Sequence, residues 1–180
     1  VLCYYALHPY LDYALLKDRI AGTPASRLHD FLERHPEAAV SDPLRKKWLK
    51  LLTERGDWNT FIVEFRDIDP DSELNCQRLM HLIKVSQEQS GLMNEAGKLW
   101  LTGSRLPAAC EPVFEAWRQA GHMTADMVWA RIQAAMEKRN LTLAEGLGRY
   151  LEPSGRVWVQ RWLAMHRQPQ AELLRLRYPV

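Results

Sequence analysis

The chain has 180 residues, of which 47% are apolar and 26% charged, a balance that excludes a disordered segment and fits one domain or a run of helical repeats. With 24 basic against 22 acidic residues the formal net charge is only +2, which argues against nucleic acid as a partner. No stretch approaches the ~20 apolar residues of a membrane span, and the start, Val1-Leu2-Cys3, has neither a Met nor a basic leader, so both ends are expected to be processed or trimmed.

Helical periodicity dominates from the first segment onward. "PYLDYALLKDRIAG" places Tyr10, Tyr13, Ala14 and Leu16 near one face and ends on Gly22. "TPASRLHDFLERHP" offers Thr23 as an N-cap, Pro24 at the first helical position, and a stripe of Leu28, Phe31 and Leu32 before Pro36. "SDPLRKKWLKLLTERG" repeats the design: Ser41 or Asp42 caps it, Leu44, Trp48, Leu51 and Leu52 form its face, and Gly56 ends it. A short piece, "DWNTFIVEF", follows, then "RDIDPDSE", read as a loop running into a cap.

"SELNCQRLMHLIKVSQEQSG" reads as one long helix with Cys76, Leu79, Leu82 and Ile83 on one side, and "LMNEAGKLWLTG" as the next. In the joint "TGSRLP", Gly103 and Pro107 are expected to stop one helix and restart another. "PAACEPVFEAWRQAG" and "TADMVWARIQAAMEKRN" come after it, the second with Asn140 as its C-terminal breaker. "LTLAEGLGRYL" is weakened by Gly146 and Gly148, each costing about 1 kcal/mol against Ala. The last helices are "RVWVQRWLAMHR" and "PQAELLRLRY".

The sum is about ten short helices with no convincing strand, although "FIVEF" and "VWVQ" have strand-like composition. The expected fold class is all-α, an irregular helical-repeat superhelix (a solenoid), with a compact irregular bundle as the alternative. Seven Trp fit helix–helix packing in a thin solenoid, with sugar-stacking platforms as the sharper reading.

No chemistry-bearing constellation survives inspection. "GLMNEAGKL" has the wrong glycine spacing for a phosphate loop, and Leu99 stands where a magnesium-binding hydroxyl belongs. The six histidines show no zinc spacing, and His29 and His35 do not share a helix face, so lone surface histidines are the expectation. Arg45, Lys46, Lys47 and Lys50 read as a solvated helix face. No residue is assigned a catalytic, metal-binding or cofactor-binding role, and no cofactor is expected. Cys76 and Cys110 lie near helix starts and are either free buried thiols or a disulfide.

From "KLWLTGSRLPAACEPVFEAWRQAGHMTADMVWARIQAAMEKRN" the sequence resembles the large soluble lytic transglycosylases of the Gram-negative periplasm. The matching blocks are Leu99–Gly103, Ala109-Cys110, Phe114–Gly121 and Arg131–Met136, with "HPYLDYALL" at His8–Leu16 and "NCQ" at Asn75–Gln77. The resemblance covers about residues 8 to 140 and fades beyond Leu141; His8 stands where the family usually has a Tyr.

The resemblance implies a long α-superhelix followed by a linker and a lysozyme-like catalytic domain. Residues 1–180 would be part of the superhelical domain, without the catalytic one. The family's catalytic acid lies in a Glu-Ser motif that this sequence lacks, so no catalytic residue carries over and the chain alone is not expected to be an enzyme. The parent enzyme would cleave MurNAc–GlcNAc bonds of peptidoglycan, one Glu acting as acid and then base while the sugar's C6 hydroxyl closes a 1,6-anhydro ring.

The implied location is the periplasm. The partners would be glycan strands, touched weakly or indirectly, and the rest of the parent enzyme. Cys76 and Cys110, one two-helix repeat apart, would then form a structural disulfide, leaving Cys3 unpaired. A protein-binding helical scaffold is the alternative function.

Overall fold

The computed structural model describes residues 7–66 and 71–177. Among them are eleven α-helices and no strand, so the expected all-α class holds. The chain forms two compact units, divided between His81 and Leu82. Cys3 and part of "RDIDPDSE" lie outside the described residues.

The first unit contains α1 (His8–Leu16), α2 (Ala25–Arg34), α3 (Ser41–Arg55), α4 (Trp58–Glu64) and the start of α5 (Ser72–Val85). Its core is the predicted stripe of α2, Leu28, Phe31 and Leu32, packed with Leu44 and Trp48 of α3 and Phe61 of α4. In α1 only Leu16 is buried, while Tyr10 and Ala14 face solvent. "FIVEF" is helical, because Phe61 fills the core at a position that helical spacing selects.

Caps differ in detail from the sequence reading. Pro24 itself occupies the N-cap of α2, and the Thr23 hydroxyl donates backward to the Arg19 carbonyl at 2.8 Å. Ser41 begins α3 rather than capping it, and its hydroxyl donates to the His35 carbonyl. Gly56 closes α3 as expected, at φ 71°, the left-handed region where glycine has no Cβ penalty. Asp57 then caps α4 by accepting from the Thr60 amide at 3.2 Å.

Arg45 is the main departure. It is not part of a solvated basic face but is 5% exposed, and its Nη1 donates to Glu64 Oε2 at 3.2 Å and to the Glu64 carbonyl at 3.0 Å. Glu64 is equally buried and meets His29 Nδ1 at 2.6 Å.

The second unit continues α5 and adds α6 (Ser90–Trp100), α7 (Glu111–Gln119), α8 (Ala125–Glu137), α9 (Leu141–Leu147), α10 (Pro153–Arg167) and α11 (Pro169–Arg177). The long helix expected to run past Ser86 stops at Val85. The Gln89 side chain donates to the Ile83 carbonyl and Glu88 accepts from the Ser90 amide, so side chains satisfy the backbone across the break. Asn140 does not end α8 but caps α9, accepting from the Leu143 amide at 3.3 Å; the reversal before it is made at Arg139, φ 57°.

The joint after α6 is set by close approach. A Cβ on Gly103 would lie 2.0 Å from the Ala134 carbonyl oxygen of α8, so only glycine lets the two backbones meet there. Pro107 precedes a 3₁₀ turn, Ala108–Cys110, that leads into α7.

Candidate functional site

A groove of about 750 Å³ opens in the second unit, a size suited to a small ligand. Its walls come from the joint after α6, the start of α7, α8, and α9 with the 3₁₀ turn Gly148–Tyr150. Four of the blocks that carry the family resemblance meet here: Trp100 from the first, Cys110 from the Ala109-Cys110 pair, Phe114 and Arg118 from the Phe114 block, and Arg131 from the α8 block.

Trp100 is fixed before any ligand arrives. Its indole Nε1 donates to the Met127 carbonyl at 3.2 Å. Phe114 and Tyr150 meet it edge-on, at centroid distances of 5.1 and 6.0 Å, and Trp117 packs at 5.7 Å. On its face lies the guanidinium of Arg131, 4.1 Å from the ring centroid and 5.5 Å from that of Phe114.

Arg131 is 5% exposed, its Nε is buried without a hydrogen-bond partner, and no carboxylate pairs with it among the described residues. Burial pushes its pKa down to about 10, a shift that nearby Tyr150 only partly opposes.

The rim is basic. Four arginines, 105, 118, 131 and 149, line the groove against Glu111 and Glu115. Glu115 is already engaged, accepting from Arg118 Nε at 3.0 Å and from the Gln119 amide at 2.7 Å, and these bonds hold its carboxyl below the usual range. Arg149 lies over the Tyr150 ring and donates to its hydroxyl at 2.7 Å.

Both cysteines singled out in the sequence are buried and disulfide-bonded, Cys76 in α5 and Cys110 in the groove wall. The tryptophans divide: Trp48, Trp100 and Trp117 are buried packing residues, whereas Trp158 and Trp162 on α10 face solvent. The histidines are not all solitary. Donor atoms of His8, Asp12 and His35 lie within 4.8 Å of one another in the first unit, a three-donor set short of the four that close a structural zinc site.

Comparison with known proteins assigns the groove's surroundings to a lineage. Over 139 residues, 77% of its length, the chain is 27% identical to the soluble lytic murein transglycosylase of Escherichia coli K12. The crystal structure of an inactive mutant of lytic transglycosylase Slt from Pseudomonas aeruginosa matches 97% of the chain at a TM-score of 0.82, with 31% identity. The chain is a relative of the soluble lytic murein transglycosylases. It spans about a fifth of the curated relative, 21%, and 28% of the Pseudomonas chain.

The 70-kDa soluble lytic transglycosylase of Escherichia coli has the same fold over 93% of this chain and 27% of its own, at a TM-score of 0.74 and 24% identity. The Cucumovirus coat protein family model also matches, over residues 52–171. Viral capsid domains are commonly β jelly rolls, whereas the described residues of that range contain helices and no strand. That match conflicts with the all-helical fold of these residues.

Sequence reasoning found the stretches around the groove through the resemblance and missed Arg131 as a site residue. Its one available signal was an arginine within the apolar pattern of α8, among Val128, Ile132 and Ala135.

Proposed function

We propose that residues 1–180 are part of the α-superhelical domain of a periplasmic peptidoglycan lytic transglycosylase, carry no lysozyme-like catalytic domain, and shape and restrict the access of glycan strands. The parent enzyme would cleave MurNAc–GlcNAc bonds, with the C6 hydroxyl attacking C1 as the glycosidic bond breaks, to leave 1,6-anhydro-MurNAc. The observation that carries the reading is the pattern of likeness: it runs through 97% of this chain but 28% of the Pseudomonas relative, and this sequence has no Glu-Ser motif to supply the acid.

The reading includes a Cys76–Cys110 disulfide, with Cys3 unpaired. It is supported by the disulfide-bonded state of both buried cysteines, and a persistent disulfide fits an oxidising compartment. Non-reducing peptide mapping of protein made in the periplasm is expected to recover one peptide pair joined through Cys76 and Cys110. Two freely alkylated cysteines would refute the pairing and weaken the compartment.

The functional test is incubation with purified sacculi. The chain alone is expected to release no 1,6-anhydromuropeptides by mass spectrometry and to co-sediment weakly, in a salt-sensitive way, because exposed charges are screened within about 8 Å at physiological salt. Anhydro product above a blank overturns the non-catalytic reading.

One observation favours the scaffold alternative: Val157, Trp158 and Trp162 form an exposed apolar stripe on α10, Trp158 being 61% exposed. Salt-insensitive capture of a protein partner that is lost in Trp158→Ser would select that reading instead.

A further inference from the structure

We propose that the groove around Arg131 is a binding site for a carboxylate-bearing small ligand, with the guanidinium of Arg131 as the group that holds the carboxylate. The argument begins with an imbalance. A buried guanidinium is normally paired with a carboxylate, because removing a charge from water without a partner is costly. Arg45 obeys this in the first unit, where Glu64 meets it. Arg131 is as buried as Arg45, and the Nε of each lacks an acceptor, but no carboxylate pairs with Arg131 among the described residues.

The aromatic groups around Arg131 orient it without saturating it. Trp100 and Phe114 take the face of the guanidinium, and Trp100 is itself pinned through Nε1. Stacking occupies the face and leaves the in-plane N–H groups, the fork that matches a carboxylate bidentately. Arg131 lines a groove large enough for a small molecule, so an acceptor can reach it from solvent.

Charge selects the ligand class. Glu115 is held by Arg118 and Gln119 and does not compete for Arg131, while Arg105 and Arg149 leave the groove net positive. Only one of its arginines is buried, and Glu111 lines the same wall, so a monoanionic carboxylate fits better than a phosphate dianion. Leu106, Pro107, Met123 and Leu143 give the rest of the ligand apolar contact. The C-terminus of a short peptide has this chemistry, either free in solution or as the stem of a cell-wall fragment. Only the second source rests on the cell-wall reading above.

The test is calorimetric titration of the whole chain with D-alanyl-D-alanine, its C-terminal amide, a disaccharide-peptide muropeptide and inorganic phosphate. The free acid is expected to bind at least tenfold more tightly than the amide and more tightly than phosphate. Arg131→Met and Arg131→Lys are each expected to lose tenfold or more, the second because it keeps the charge without the fork, with helical circular dichroism unchanged. Arg105→Ala, at the exposed rim, is expected to lose threefold or less.

Equal binding of acid and amide, tighter binding of phosphate, full binding by Arg131→Met, or no binding of any carboxylate overturns the proposal. Tighter binding of the muropeptide than of the dipeptide supports a cell-wall source. Binding of the dipeptide alone supports a free peptide. Loss of sacculus co-sedimentation with dipeptide binding retained refutes the cell-wall reading and keeps the site.

Discussion

The Arg45–Glu64 pair gives the sharpest test of how the first unit is held together. Both side chains are about 95% removed from solvent, and Arg45 bridges α3 to the end of α4 through the Glu64 carboxylate and carbonyl. Replacing Glu64 with Leu leaves a buried guanidinium unpaired, and replacing Arg45 with Met leaves a buried carboxylate with only His29. Breaking such a pair from one side costs about 3–5 kcal/mol, whereas replacing both partners with apolar residues of similar volume is about neutral or stabilising. At about 2–4 °C per kcal/mol for a chain of this size, each single substitution should lower Tm by about 6–20 °C. The double variant Arg45→Met/Glu64→Leu should recover most of that loss. Urea unfolding followed by circular dichroism measures all four corners of the cycle, with a coupling expected well above the ~0.5 kcal/mol scatter of independent sites. Simple additivity of two small losses would refute the claim that the charges are desolvated and paired.

Two further outcomes follow from the second unit. Gly103→Ala places a methyl 2.0 Å from the backbone oxygen of Ala134, which cannot swing aside, so a loss of at least about 1–3 kcal/mol is expected in denaturant melts; Gly146→Ala, in open space within α9, is expected to gain about 0.5–1 kcal/mol. Arg131→Met is expected to be at least as stable as the parent at pH 7. The folded-state pKa of Arg131 is lowered, to about 10, so the unfolded chain holds its proton more tightly; the destabilisation is full well below pH 10 and fades as pH rises through that value toward the ordinary arginine range. The advantage of Arg131→Met in parallel melts should therefore shrink between pH 9 and pH 11, and an advantage that widens would contradict an unpaired buried charge.

The sequence alone determined the helical class, the stripe of Leu28, Phe31 and Leu32, and the stop at Gly56, because each depends on residues within one or two helical turns. It also pointed to the stretches that build the groove, through blocks whose order matches a known family. It could not show that α5 ends at Val85, since the bonds that end it come from the side chains of Glu88 and Gln89, in a run whose spacing still reads as helix. Nor could it rank its arginines. Arg45, Lys46 and Lys47 are neighbours in sequence, but only Arg45 finds Glu64, nineteen positions away, and goes inside. Gly103 looked like a helix stop, and its actual constraint is the backbone of Ala134. Arg131 stood in the sequence only as the first residue of a family block, and only the packing of α6, α7 and α8 stacks it on Trp100 and leaves it without a counter-ion. Helical periodicity is written in local spacing, whereas the burial and pairing of a charge depend on groups brought together from distant parts of the chain, and those were decided by the tertiary structure.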